Sequence, residues 1–446
     1  GSRQEPIPGS ALIPFGTTTP TITPPTVPAP TPPTTPVTSQ KARITFTFAA
    51  PVANATARVA PTLYNKSRVL NFEEDDSPVA AYTDLYPLLK GGTRNGQRYP
   101  GLRFTDGTGR NRAYTAAVAI NGHNTYNNSV WLDAGPNHDK SRLLWAQAQE
   151  LLDNGWDIEN HSDLHTGDNP AQQLATLDAL IAQRLRGYKP GVHIVPSNSG
   201  GYPTAAFAAG YSAVSSNSQS DKLPMLPLYN ANRVALSALP AANTPFVYNR
   251  YQADALGSES NPALLNRLKT LSNDLMAPGS TSSEVYLQRV FTHGLDFNVL
   301  ADWLTYTQSI AQDRLWVTTL REFAEYRLVS SQVVKTEALS GKTLTVDLDY
   351  SQVGATTRFQ NLTLLVDSPG TVTSITVTGA DSATYNVNTK MVNVFRGPLA
   401  ATTPSPSVPA PPTTLAPDGG CAGTGSLLRE QWDNVAGADL ASVPTT

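Results

Sequence analysis

Two adjacent carboxylates, Asp75 and Asp76, close the apolar run 68–72 (RVLNF), and a segment His161-Ser-Asp-Leu-His165 follows a second run, 156–160 (WDIEN). A third histidine, His293, ends a later run, 289–292 (RVFT). Imidazole and carboxylate groups in such a set can hold a divalent cation, while a neighbouring carboxylate and imidazole take and give protons. The chain has six histidines in 446 residues, so three of them at the ends of apolar runs are informative. The chemistry they point to is metal-dependent hydrolysis.

Each cluster also has a plainer reading. His161 and His165 stand four apart; a helical turn after Asn160 would put both rings on one face, whereas a surface turn would leave them unrelated. Glu73-Glu74-Asp75-Asp76 would ordinarily be a solvated loop, because neighbouring carboxylates repel. A dication offsets that repulsion, and one carboxylate can then ligate while another accepts a proton. Glu73 and Glu74 could fill the acidic positions in an alternative register. The other histidines say less. His123 lies in a Gly/Asn-rich turn and is read as loop or substrate contact, His138 as solvated, and His193 as an interior or interface histidine. Trp131 and Trp156 are core residues by default, although either could stack on a sugar ring.

The elements that must position these groups alternate. From about residue 42 to 330, short apolar strands (68–72, 156–160, 192–195, 211–214, 289–292, 315–317) are interleaved with amphipathic helices (141–154, from Pro170 to before Gly187, 261–276, 297–312, 319–327). Strand–helix alternation predicts a largely parallel sheet with helices outside, and barrel closure is one solution. On that scheme the acidic pair and the histidines sit at strand C-terminal ends, the functional rim of such a barrel. After about residue 330, short strands at 344–348, 362–366 and 371–378 predict a small antiparallel β-sandwich.

On these residues the chain resembles the polysaccharide deacetylases of the NodB-homology type, carbohydrate esterase family 4, over roughly residues 65–330. The family's Asp-Asp-Gly reads here Asp75-Asp76-Ser77-Pro78, its His-[Ser/Thr]-x-x-His reads His161-Ser162-Asp163-Leu164-His165, and its late strand ends at His293. The resemblance implies an α/β fold, a distorted (β/α) barrel. It implies one divalent metal, Zn²⁺ in the first place with Co²⁺ or Ni²⁺ as alternatives, held by Asp76, His161 and His165. Asp75 would be the base for the attacking water and His293 the acid for the leaving group. Two departures stand out. The family's third motif carries an arginine that orients the catalytic aspartate; here the equivalent stretch, Val195-Pro-Ser-Asn-Ser-Gly-Gly-Tyr202, has none. Asn198 is the candidate substitute and Tyr202 a candidate substrate contact. The fourth motif has no clear match between 211 and 260.

Composition sets the frame. A net charge of −3 and a pI near 6.1 give no basic footprint, so nucleic acid is not an expected partner. No apolar run is long enough to span a membrane. The single cysteine, Cys421, excludes an internal disulfide framework. Thr/Pro-rich stretches at 17–38 and 401–417 read as extended linkers, as in secreted or surface-attached bacterial enzymes. Gly1-Ser2 reads as a cloning scar, with an export signal removed. Residues 423–446 resemble the start of a PA14-type carbohydrate-binding domain. The expected division is a linker (1–40), the catalytic domain (41–330), the β-sandwich (331–398), and a second linker with a partial domain (399–446), the partners being other domains of the same longer chain. The function expected is a secreted deacetylase acting on a polysaccharide, on N-acetyl groups of glucosamine units first. A metal-retaining carbohydrate-binding pseudo-enzyme and a different amidohydrolase are the alternatives.

Overall fold

The computed structural model describes residues 40–136, 138–218, 221–226 and 232–397. Both Thr/Pro-rich stretches, Cys421 and the segment 423–446 lie outside the described residues.

The fold is mixed α/β around one curled, half-barrel sheet. Its central strands run in the order Val247–Tyr248, Ala213–Ser215, Val192–Ile194, Asp157–Asn160, Ala117–Ile120, Arg68–Glu74, Tyr286–Thr292, and each neighbouring pair is parallel. Leu315–Thr318 shares one edge of Arg68–Glu74 with Ala117–Ile120, pairing its first half while the latter takes its last two residues. Among the described residues no ladder joins the sheet's two ends, so the expected barrel is not closed. Helices pack outside it, including Trp145–Asp153, Pro170–Arg184, Asn261–Met276, Phe297–Ala311 and Leu320–Gln332.

Strand alternation sorts the central strand's side chains. Phe72 faces the helices and meets Trp303 edge-on at 5.4 Å. Asn71, Glu73 and Asp75 face the interior of the curl. Because the strands are parallel, their C-terminal ends share one rim, and that rim carries Asp75–Asp76, Asn121–His123, His161–His165, Val195–Asn198 and His293.

The chain after residue 333 forms two four-stranded antiparallel sheets, but not alone. Lys41–Phe48, expected with the barrel, lies between Thr343–Asp349 and Val372–Thr378, and Thr56–Val59 pairs with Leu362–Asp367. Ala42, Ile44, Phe46 and Phe48 are buried on one face of that strand, which is the period-2 burial that ties it to a sheet. The boundary at 330 therefore does not separate the sheets: each takes one strand from before residue 60.

Candidate metal centre

Asp75 and Asp76 approach the same imidazole, which a regular strand would prevent because successive side chains point to opposite faces. The chain breaks its alternation there: Asp76 has φ 68° and Ser77 φ 57°, both left-handed. Such a conformation costs a non-glycine residue roughly 1–2 kcal/mol. Here two hydrogen bonds hold it, Ser77 N donating to Ala119 O (3.0 Å) and Ser77 Oγ accepting from Asn121 N (3.1 Å).

The His161–His165 segment is not helical, contrary to the turn expected after Asn160. Ser162 and His165 adopt left-handed φ values of 69° and 56°, and the loop is pinned by Ser162 N on Asn160 Oδ1 (2.8 Å) and His165 N on Ser162 Oγ (3.0 Å). The bend still brings the two rings to 4.7 Å between centroids. His161 Nδ1 donates to Ile194 O (2.9 Å), which fixes the tautomer and leaves Nε2 as the free lone pair.

Three ligand atoms converge. His161 Nε2 and His165 Nε2 are 3.2 Å apart, and Asp76 Oδ1 lies 3.7 Å from each. Two nitrogens bound at about 2.0–2.1 Å to one tetrahedral cation would stand roughly 3.3 Å apart, so the imidazole pair has the spacing of a chelate, and Asp76 sits slightly wide of it. His161 is buried, whereas Asp76 and His165 are about one-third exposed, 34 % and 36 %, which leaves an open side for a ligand. Burial lowers the His161 pKa, opposed by Asp75 and reinforced by His165, and a neutral imidazole is the form that binds metal. Among the described residues these three form the one cluster of this kind, and the donor set suits a divalent cation.

Beside it lies a buried ionic lattice. Asp75 is gripped by both ends of Arg250, Nη1 to Oδ1 at 2.8 Å and Nη2 to Oδ2 at 2.7 Å. Arg250 Nη1 also reaches Glu73 Oε1 (2.9 Å), whose other oxygen takes Arg289 Nη2 at 2.5 Å. Burial pushes the Asp75 carboxyl up, but Arg250, then His161, overcome it and hold it below the usual carboxylate range. Glu73 and Glu74 are thus buried strand residues, not a solvated loop. Glu73 closes the lattice, while Glu74 Oε2 has no hydrogen-bond partner among the described residues and burial pushes its carboxyl up to about 8.

His293 lines the same cavity as Asp75. Its Nδ1 donates to Asp254 Oδ2 (2.6 Å), and Asp254 Oδ1 accepts from His293 N (2.8 Å) and from Thr292 Oγ1 (2.5 Å). That hydrogen bond to Asp254 raises the His293 pKa against the effect of burial. Asp75, His161, His165, Asn198, Arg250 and His293 line one cavity of ≈ 510 Å³.

Of the residues singled out from the sequence, Asp75, Asp76, His161, His165 and His293 come together. Asn198 lines the cavity but does not touch Asp75: its Oδ1 accepts from Asn217 N (2.7 Å), and Asn217 Oδ1 accepts from Arg250 Nε (3.1 Å). Tyr202 is no substrate contact. It is fully buried, donates to Thr166 O (2.7 Å) and stacks on His193 at 5.1 Å. His193 faces the helices with Nδ1 on Asn160 O (2.8 Å), and Trp156 is core. Sequence reading missed Arg250 and Asp254. Their signal was local: charged residues in Tyr248-Asn-Arg-Tyr-Gln-Ala-Asp254, directly after the short strand Val247–Tyr248.

No family model matches the sequence, and no curated protein does. Solved structures similar to parts of it include a deacetylase from Streptococcus pyogenes in complex with acetate (14 % identity, TM-score 0.23, 32 % of this chain and 54 % of that one). A polysaccharide deacetylase from Bacillus cereus has 9 % identity and a TM-score of 0.32 over 56 % of this chain and 91 % of that one. A family 4 carbohydrate esterase from Bacillus anthracis has 14 % identity and a TM-score of 0.23 over 48 % and 78 %. The chain thus spans about half the length of the first of these, 54 %.

Proposed function

We propose that this protein is a metal-dependent carbohydrate deacetylase that releases acetate from a polysaccharide, in the first place from N-acetylated glucosamine units. One observation carries the reading: a two-histidine, one-carboxylate cluster shares a rim with an arginine-clamped aspartate and an aspartate-held histidine. A divalent cation, Zn²⁺ first among candidates, would be held by Asp76, His161 and His165, and when bound it polarises a carbonyl and lowers the pKa of water.

The chain's own residues supply the remainder. Asp75 accepts the proton of the attacking water; its lowered pKa keeps it ionised, and the two-pronged grip of Arg250 fixes its orientation. His293 carries its Nδ1 proton to Asp254, so Nε2 is the atom that protonates the departing nitrogen. The cavity of ≈ 510 Å³ is lined mostly by polar side chains, which suits a sugar better than an apolar ligand. The pseudo-enzyme reading rests on a missing arginine; the grip of Arg250 on Asp75, from between the strands Val247–Tyr248 and Tyr251–Gln252, supports the enzyme reading over it. Secretion is part of the proposal, supported by the Thr/Pro-rich stretches and the low content of charged residues, 15 %.

The test is acetate release from acetylated glucosamine oligomers by zinc-loaded protein, beside chelated protein and Asp75→Asn. Release should stop on chelation and fall by about 10²–10⁴-fold in Asp75→Asn. Equal release with and without chelator would sink the reading.

A further inference from the structure

The loop 121–131 is absorbed by none of the chemistry above. It leaves the strand Ala117–Ile120, which pairs with one edge of Arg68–Glu74 while Tyr286–Thr292 pairs with the other. The loop therefore flanks Asp75–Asp76 on the side opposite His293. It is fastened to the metal-ligand loop: Asn121 Nδ2 donates to His161 O (2.9 Å), and Gly122 N and His123 N both donate to Asp163 O (3.0 Å each).

Two groups on it face outward. His123 Nδ1 donates to Asp163 Oδ1 at 2.6 Å, which leaves Nε2 without a protein partner among the described residues; the side chain is 20 % exposed. This pairing is built into the packing, since a Cβ at Gly122 would lie 2.0 Å from Asp163 Oδ1. At the tip, Tyr126 is 96 % exposed, the most exposed large hydrophobic residue described. The tip is nevertheless braced from within, by Asn124 N on Ser129 O (2.8 Å) and Tyr126 N on Asn124 Oδ1 (2.8 Å). Between Asn121 and Val130 the only ionisable side chains are His123 and Tyr126, the rest being Asn, Gly, Thr, Ser and Val.

We propose that the loop 121–131 is a glycan subsite outside the cavity, with Tyr126 offering a ring face to a neutral pyranose and His123, held by Asp163, hydrogen-bonding a sugar hydroxyl through Nε2. The proposal rests on the reading of a polysaccharide substrate and extends it. On this proposal a polymer with one unit at the metal cluster places another unit on this loop, and comparing a hexamer with a dimer tests that reach. Around the Tyr126 ring the loop's own side chains from Asn124 to Val130 are amides, hydroxyls and one valine, a surround that suits a neutral sugar.

The experiment measures Kd by calorimetry on metal-free protein, and KM and kcat on zinc-loaded protein, with the N-acetylglucosamine hexamer and dimer as probes. Tyr126→Ala, His123→Gln and the control Tyr126→Phe are compared with wild type. Tyr126→Ala and His123→Gln should raise the hexamer's Kd about fivefold, the scale of one aromatic or hydrogen-bonding contact, and leave the dimer's Kd and kcat unchanged. Tyr126→Phe should keep most of the affinity. Hexamer binding identical in wild type, Tyr126→Ala and His123→Gln overturns the subsite, as does a wild type that binds no hexamer. Loop-dependent binding without acetate release would uphold the subsite and defeat the deacetylase reading; acetate release with loop-independent Kd and KM would do the reverse.

Discussion

At the scale of single residues, the site is a set of proton positions fixed by neighbours. The five groups named from the sequence were legible because histidine is rare in this chain and because all five fall at or just after the ends of apolar runs. Arg250 and Asp254 were not, because each acts on a partner far away in sequence, 175 and 39 positions off, and charged residues after a two-residue strand do not say which partner they meet. The missing third-motif arginine shows the same limit: Asp75 is clamped, but by Arg250, which lies between the strands Val247–Tyr248 and Tyr251–Gln252, far along the chain. Removing one partner of such a buried pair leaves an uncompensated charge, at a cost of about 3–5 kcal/mol. The Asp254–His293 hydrogen bond carries a sharper prediction. It raises the His293 pKa, so the protonated acid persists above the ordinary imidazole range and is lost as pH rises through the raised value. Asp254→Asn should move the alkaline limb of the kcat–pH profile to lower pH while leaving metal binding intact. An unmoved alkaline limb would remove His293 from the role of acid.

At the scale of elements, periodicity and apolar runs found several helices and strands, three-residue strands such as Val192–Ile194 among them, and missed others. Asn261–Met276 matches its expected range, and Phe297–Ala311 differs by one residue. Ala117–Ile120 is all apolar and four residues long, and Val247–Tyr248 has only two, so neither shows a period. The strand at 68 runs on through Glu73 and Glu74, because Glu73 is neutralised inside by two arginines while Glu74 is buried without such a partner. Glu74 therefore has a pH signature. Burial first, then Asp84 and Asp254, push its carboxyl up to about 8, so the folded state holds a proton that the unfolded chain releases near pH 4–5. Stability from this group is complete below the unfolded pKa and is lost as pH rises towards 8. Glu74→Gln should consequently be more stable than wild type by about 1–3 kcal/mol at pH 8.5, with the gap closing by pH 4. Thermal melts across that range check it; a constant offset would show that Glu74 does not titrate as described.

At the scale of the whole molecule, the described residues form one compact unit. The sheets after residue 333 are tied to the half-barrel by Arg358, which donates to Trp156 O (2.9 Å) and Leu152 O (2.9 Å), and by Tyr326 on Ala60 O (2.7 Å). The strand Lys41–Phe48 was not legible as their partner, since ladder pairing across some 300 positions leaves no trace in either segment alone. A chain lacking residues 1–50 should lose the middle strand of one sheet and melt well below the full chain; an unchanged Tm would show that strand to be dispensable. No helix among the described residues is long and apolar enough to cross a membrane. The central claim is that Asp76, His161 and His165 hold a single divalent cation at an open rim. Its most direct test is zinc stoichiometry by mass spectrometry under native conditions, for wild type, Asp76→Asn and His165→Gln. One zinc per wild-type chain, lost or greatly weakened in both variants, is the result predicted; a wild type that binds none, or variants that keep the metal at full occupancy, would contradict it.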